Sequence, residues 1–291
     1  MKNETGFLGF ARKLIASNKL CNYSVEYSEK AKKLEHNRKG LLSSKEHSKM
    51  SETDFAEHFS SVENLLKWYF SYLNNINKLE PVSVIGTEIR DSIAAMGEGR
   101  SVKSILSFGA GPSVLEFLLK RFFQEEVNIV VTDYDQFIME QVSELFPELH
   151  AVKFDFYNDD PRELVEQYHV DTVIMFGSAC SMDDATYKLF LKKLSKYGVK
   201  TVFTFEAAIL PAWRYYFQPF IMIARLLCLY LFQHDEYEKR KKDFDSMVSF
   251  HAYKRTCINL KRIYKKSGWD YCQVNAGTWS YGFRLTSLKS K

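Results

Sequence analysis

From residue 101 onward, short apolar runs alternate with longer stretches whose apolar residues recur at helical spacing. The apolar runs cover 104–108, 128–132, 150–154, 172–176 and 200–205, and the helix-like stretches cover 114–124, 136–146, 161–168 and 183–197. Buried strands separated by helices are typical of βαβ units, in which a parallel sheet carries helices on both faces. The sequence therefore predicts a doubly wound α/β domain that binds its ligand at the carboxyl ends of the strands.

Two parts of the chain depart from this alternation. Residues 1–100 are polar with helical apolar spacing, and we expect an N-terminal helical cap or substrate region there. Residues 101–291 are predicted to form the α/β domain, interrupted by an insertion at 209–249. After the insertion we expect a helix over 253–267 and two late strands near 270–274 and 281–285.

The insertion begins with a long apolar segment, residues 209–232, which contains Arg214, Gln218, Pro219 and Arg225. An arginine near the centre of a spanning helix costs about 2.5–3.5 kcal/mol on insertion scales. We therefore expect a helix that is buried, faces a partner or lies on a membrane surface. This segment is the predicted place of a peripheral membrane contact or a dimer interface.

Composition excludes several classes of protein. The net charge of the 291 residues is only +4, whereas a nucleic-acid-binding protein usually has a strongly basic face, so no nucleic-acid partner is expected. Five scattered cysteines without a Cys-x-x-Cys pair predict a reducing, cytoplasmic environment and no metal site. The first residues lack the apolar core of a secretory signal, which agrees with a cytoplasmic location.

The stretch SFGAGPS contains the most informative local motif. Gly109 and Gly111 stand where a predicted strand passes into a helix, and backbone N–H groups at such a junction can meet a nucleotide-like ligand. The next strand ends at Asp133, 24 positions after Gly109. A carboxylate there can accept two hydrogen bonds from ribose hydroxyls. Asp135 competes for that role, or caps the helix that follows.

The third predicted strand leads into Asp155 and Phe156. The Asp155 carboxylate could accept a hydrogen bond from an adenine amino group, and the Phe156 ring could pack on the base. An alternative is that residues 155–160 form only an acidic turn before Pro161.

This ordered set resembles the class I S-adenosylmethionine-dependent methyltransferases, over about residues 102–285. The resemblance implies a Rossmann-like, seven-stranded, mostly parallel sheet with a C-terminal antiparallel hairpin, and S-adenosylmethionine as the cofactor. It places Gly109, Ala110 and Gly111 at the methionine part and Asp133 at the ribose. Asp155 and Phe156 fall at the adenine, and Phe176, at the end of the fourth strand, completes the cofactor-binding set.

The chain departs from the family pattern at two serines. Ser107 stands where an acidic residue is common, and Ser113 stands where a third glycine is common. These departures leave open a catalytically silent member that acts as a binding or assembly protein. A nicotinamide-dependent dehydrogenase is the alternative on fold, but its G-x-G-x-x-G fingerprint would need a glycine at Val114.

Methyl transfer to a hydroxyl group needs a base that accepts the proton. His251 and Glu206 are the predicted catalytic residues, although each could instead be a core histidine or a loop carboxylate. Tyr253, Arg255 and Arg214 are predicted to bind the acceptor. The sequence thus predicts methyl transfer to an oxygen or nitrogen of a small, hydrophobic or lipid-linked molecule, whose pocket the N-terminal helices and the insertion would form.

Overall fold

The computed structural model describes residues 7, 20–23, 58–67, 81–95, 102–206, 212–238, 250–253, 255–277 and 281–288. The strands of this part of the chain are β1 Leu20–Tyr23, β2 Ser104–Phe108, β3 Asn128–Asp133, β4 His150–Lys153, β5 Thr172–Phe176, β6 Thr201–Glu206, β7 Phe250–Tyr253, β8 Trp269–Val274 and β9 Tyr281–Ser287. The helices are α1 Pro81–Ala94, α2 Val114–Phe123, α3 Gln136–Leu145, α4 Arg162–Gln167, α5 Asp184–Lys196, α6 Ala212–Phe232 and α7 Cys257–Lys266. Short 3-10 turns cover His58–Ser60, Gln124–Glu126 and Ala179–Ser181, and residues 62–67 and 234–238 are also helical.

Seven strands form one sheet in the order β4-β3-β2-β5-β6-β9-β8. Strands β2 to β6 run parallel to one another, and β9 lies antiparallel between β6 and β8. The predicted doubly wound, mostly parallel sheet with a C-terminal antiparallel hairpin is therefore confirmed. The strand order reverses between β2 and β5, and in such sheets the ligand crevice lies at that reversal.

Each face of the sheet is covered by its own apolar layer. Ile105, Ile129 and Phe203 point into one layer, which contains α1, α2 and α3. Leu106, Val130 and Val202 point into the other, which contains α4, α5 and α7. Alternate side chains of a strand point to opposite faces, so strands covered on both sides are apolar along their whole length. The continuous apolar runs in the sequence have this cause.

Side chains from the two described segments 58–67 and 81–95 pack on the first of these layers. Phe59, Leu65, Val82, Ile85 and Ile89 are buried in the same cluster as side chains of α2. The division of the chain at residue 100 stays a prediction.

A second, small sheet consists of β1 and β7, which pair antiparallel with Leu20 opposite Tyr253. The prediction of a helix from residue 253 onward was wrong at its start. Residue 253 lies in β7, and α7 begins only at Cys257, where the Thr256 side chain accepts a hydrogen bond from Asn259 N. The partner strand of β7 is more than two hundred residues away in sequence, so no local pattern indicates it.

Helix α6 falls within the predicted insertion. Leu226 and Leu229, on one side of α6, pack with Tyr237 and Phe7. Within the described ranges, no helix combines the length and the apolarity that crossing a membrane requires. Residues 239–249 of the predicted insertion lie outside the described residues.

Candidate cofactor site

The loops that follow β2, β3 and β4 are tied together by backbone hydrogen bonds. Ala110 N donates to Thr132 O at 2.8 Å, and Phe154 N donates to Asp133 O at 2.8 Å. Gly111 N donates to Asp133 Oδ2 at 3.0 Å. The glycine loop and the acidic end of β3, predicted separately from the sequence, thus form one continuous edge.

The two glycines of the loop occupy different surroundings. Both have positive φ, +66° at Gly109 and +52° at Gly111. A Cβ at position 109 would lie only 2.5 Å from Ser178 Cβ, so the loop backbone there packs directly on the loop after β5. A Cβ at position 111 would meet nothing within 4 Å. Gly109 therefore permits close packing across the strand reversal, whereas Gly111 borders open space.

Asp133 and Asp135 have distinct roles, which the sequence left open. Asp133 Oδ1 accepts a hydrogen bond from Asp135 N at 3.2 Å, so backbone N–H groups hold both carboxylate oxygens. Asp135 is fully buried and caps α3, accepting hydrogen bonds from Phe137 N and Ile138 N. Asp135 is therefore the helix cap, and Asp133 ends β3 at the carboxyl edge of the sheet. Ribose binding by Asp133 stays a prediction.

Asp155 closes a turn. Its Oδ1 accepts a hydrogen bond from Tyr157 N at 2.8 Å, and its Oδ2 accepts one from Asn158 Nδ2 at 2.6 Å. The acidic turn that the sequence allowed is therefore present, and adenine recognition by Asp155 stays a prediction. The Phe156 ring packs 5.2 Å from the Phe190 ring, and its Cε2 would lie 3.7 Å from a Cβ at position 109. Phe156 thus adjoins the glycine loop.

Ser178 is a feature of the site that sequence reasoning did not single out. Its hydroxyl is buried beside Gly109 and has no hydrogen-bond partner among the residues that the structure describes. Leaving a buried hydroxyl unpaired costs about 1–3 kcal/mol, which a polar ligand group would recover. Together with the open space at Gly111, this hydroxyl suits a cofactor with nucleoside and amino-acid parts. The only sequence signal was its place, directly after a glycine at a strand end.

Glu116 is a second residue that the sequence analysis missed. Ser107 Oγ donates a hydrogen bond to Glu116 Oε1 at 2.6 Å, and both side chains are buried. Burial raises the pKa of the Glu116 carboxyl to about 7, while hydrogen bonds from Ser107 and from its own backbone act in the opposite direction. Helix α2 thus brings a carboxyl group to the end of β2.

Ser113 keeps the backbone conformation of a glycine. It has φ +56° in the left-handed region and precedes α2 without a side-chain cap. Its hydroxyl instead donates to Gly111 O at 3.3 Å. The loop therefore has its bend despite the missing third glycine.

Glu206 ends β6 and is buried at the same edge of the sheet. Thr204 Oγ1 lies 3.4 Å from Glu206 Oε1, to which it donates, and 3.3 Å from the Tyr187 hydroxyl. Burial raises the pKa of Glu206, while the charge of Arg255 and the Thr204 hydrogen bond lower it. On the neighbouring strand, Phe176 ends β5 with its ring 6.4 Å from the Phe205 ring.

Arg255 holds the turn that follows β5. Its guanidinium group is buried and donates hydrogen bonds to Asp184 Oδ1 at 2.9 Å, to Ala179 O at 3.0 Å and to Met182 O. These contacts favour a structural role, and acceptor binding by Arg255 stays a prediction. The pKa of the Tyr157 phenol is raised to about 12, mainly by burial and next by the electrostatic effect of Tyr253. Tyr253 therefore lies near Tyr157.

The structure places the other two predicted residues only by their backbones. His251 lies in β7 opposite Asn22, and Arg214 lies in the first turn of α6. Their side chains lie outside the described residues. Whether they reach the carboxyl edge of the sheet stays a prediction.

No protein-family model matches the chain, and no curated protein is similar to it in sequence. Human N-acetylserotonin methyltransferase in complex with S-adenosylmethionine is similar in structure over 98% of this chain and 68% of that chain, with a TM-score of 0.52 and 10% identity. Magnesium protoporphyrin IX methyltransferase from Synechocystis PCC 6803 matches 70% of this chain and 78% of its own, at TM-score 0.43 and 10% identity. LepI in complex with S-adenosylmethionine matches 68% of this chain and 46% of its own, at TM-score 0.44 and 9% identity. The chain has the fold of the class I S-adenosylmethionine-dependent methyltransferases.

Proposed function

We propose that the protein is an S-adenosylmethionine-dependent methyltransferase acting on an oxygen or nitrogen of a small acceptor with a hydrophobic or lipid-linked part. The observation that carries the proposal is the hydrogen bond from Gly111 N to Asp133 Oδ2. It joins the glycine loop and the acidic strand end into one ligand-facing edge at the strand reversal. The open space at Gly111 and the unpaired Ser178 hydroxyl lie at the same edge.

S-adenosylmethionine, when bound, would supply a methyl group on a positively charged sulfur. The N–H groups of Ala110 and Gly111 are already used inside the protein, and each of their carbonyl oxygens accepts one hydrogen bond from Ser113. The loop therefore offers close backbone approach and the second lone pair of each carbonyl oxygen, which suit a cationic amino-acid part. The Asp133 carboxylate would accept hydrogen bonds from the ribose hydroxyls. Phe156 and Phe176 would border the adenine, and Asp155 would meet its amino group.

Glu206 is our candidate for the group that takes the proton of the acceptor. Burial raises the pKa of Glu206 above its ordinary value of 4.5, and a carboxylate with a raised pKa is a stronger base. It ends β6, beside the end of β5, on the carboxyl edge of the sheet. His251 is the alternative base, and Tyr253, Arg214 and Arg255 are the proposed acceptor-binding residues.

Calorimetric titration of S-adenosylmethionine and S-adenosylhomocysteine into the purified protein tests the cofactor. We expect micromolar binding that Asp133→Asn weakens at least tenfold, because the variant loses charge at the ligand edge. Asp171→Asn is the matched control, since Asp171 precedes β5 and lies at the opposite edge of the sheet. No binding to folded wild-type protein would overturn the proposal.

One observation favours the alternative of a catalytically silent binding protein. The Asp155 carboxylate is engaged on both oxygens by its own turn. Incubation with methyl-labelled S-adenosylmethionine and a cell extract separates the two functions. Label transferred to a small molecule or lipid supports the enzyme, whereas cofactor binding without any transfer supports the silent protein.

A further inference from the structure

Helix α6 presents large apolar side chains to solvent along its whole length. Trp213, Phe217, Phe220, Leu231 and Phe232 are between 58% and 81% exposed. Monomeric soluble proteins rarely expose a contiguous apolar patch of this kind, and such patches mark interaction sites. This face of α6 is therefore a candidate interaction site.

The exposed side chains form a continuous stripe. At 100° per residue, residues 213, 217, 220, 224, 227 and 231 fall within an arc of roughly 80° around the helix axis. Ile221, Cys228, Phe232 and Arg225 are also exposed and widen the arc to roughly 160°. Arg225, at its edge, is the one charged residue of this arc whose side-chain exposure the structure describes. Tyr230, on the other side of the stripe, packs its ring against Phe7 and Tyr237.

The width of the arc indicates what covers it. A helix of a second copy would bury a narrow seam, whereas an arc of this width needs a medium that covers nearly half of the helix. The remaining side of α6 is held by the protein, through Leu226 and Leu229 against Tyr237 and Phe7. A bilayer surface provides such a medium, because a helix lying in it is immersed to about half its diameter.

The charge pattern agrees with this occupant. Residues 212–232 contain Arg214 and Arg225 and no acidic residue. At the edge of the apolar arc, the Arg225 guanidinium is placed to bind a lipid phosphate while its stem lies on apolar surface. Trp213, exposed at the first turn, is of the residue type enriched at membrane interfaces.

We propose that α6 lies in the surface of a phospholipid bilayer, with its Trp213–Phe217–Phe220–Leu227–Leu231 stripe facing the acyl chains and Arg225 at the phosphates. The inference does not rest on methyl transfer, because the contact needs neither cofactor nor acceptor.

Co-sedimentation of the full chain with vesicles of equimolar phosphatidylcholine and phosphatidylglycerol, without cofactor, tests the proposal. We expect wild-type protein to bind and Phe217→Glu/Phe220→Glu to lose roughly a hundredfold or more in partitioning, since two buried aromatic side chains are lost. Leu189→Glu/Ile258→Glu is the matched control. It introduces the same charge at side chains 57% and 58% exposed on α5 and α7, and should bind as wild type does.

Fluorescence of Trp213 reports the helix itself. Vesicles should shift the emission to shorter wavelength, bromine-labelled lipid should quench it, and Trp213→Phe should remove both effects. Equal vesicle binding by the α6 variant, or none by folded wild type, would overturn the proposal. So would a dimer, seen by sedimentation equilibrium, that the α6 variant dissociates while vesicles bind neither protein.

Discussion

Glu116 shows how a buried carboxyl group makes stability depend on pH. Its pKa is raised to about 7 in the folded protein, from an ordinary value of 4.5. Between these pH values the unfolded chain loses the proton while the folded protein keeps it. The free energy of unfolding therefore falls as pH rises through this window and changes no further above it.

Glu116→Gln should remove this dependence. The amide keeps an acceptor for Ser107 Oγ without a charge to bury. As pH rises from about 4.5 to about 7, the free energy of unfolding of the variant should therefore increase relative to that of wild type, by up to about 3 kcal/mol. Urea unfolding at a series of pH values measures the difference. Glu126→Gln, on an exposed side chain, is the control. A gain for Glu116→Gln that is equal at all pH values would contradict the expectation.

Ser113 carries a backbone conformation that costs a non-glycine residue about 1–2 kcal/mol. Ser113→Gly should relieve this cost and raise the free energy of unfolding by about 0.5–1 kcal/mol, after the loss of its hydroxyl contact and the greater entropy of unfolded glycine. Ser143→Gly, at an exposed interior position of α3, should instead destabilise by about 0.5 kcal/mol. Denaturant titration compares the two variants, and effects of the same sign would contradict the assignment.

The sequence could place a residue at the candidate site where its position in a strand determines its location. Asp133 ends a strand at the carboxyl edge of the sheet, as the sequence indicated. Glu116 could not be found in this way, because the spacing from Ser113 to Glu116 is also that of a capping box. The left-handed conformation at Ser113 removes that box, and the Glu116 side chain pairs with Ser107 instead.

At the scale of elements, the strands of the sheet were predictable to within a residue or two, because strands covered on both faces have continuous apolar runs. The predicted strand 200–205 is β6 Thr201–Glu206, for example. The β1–β7 pair was not predictable, because each strand has only four residues and the two strands lie far apart in the sequence.

Arg255 connects elements on different parts of the chain. It precedes α7 and fixes the turn after β5, which carries Ser178 against Gly109. Arg255→Met should lower the free energy of unfolding by about 2–4 kcal/mol, because buried carbonyl groups lose their donors. Arg162→Met, in an exposed ion pair with Glu166, should change it by less than about 1 kcal/mol. Thermal unfolding of both variants measures this, and equal effects would contradict a role for Arg255 in holding the turn.

At the scale of the whole molecule, the doubly wound order follows from the alternation of strands and helices, since a parallel connection is almost always right-handed. The same order brings β2 and β5 side by side, and therefore Gly109 against Ser178. That contact between residues 69 positions apart is a property of the topology and leaves no local trace in the sequence.

The position of β9 between β6 and β8 has a consequence for synthesis and aggregation. Strand β8 joins the sheet only through β9, although it leaves the ribosome first. Until Tyr281–Ser287 has emerged, β6 keeps an open edge whose backbone groups can pair with another nascent chain. Premature termination before β9 would make that edge permanent, and the shortened chains would be expected to associate through β6.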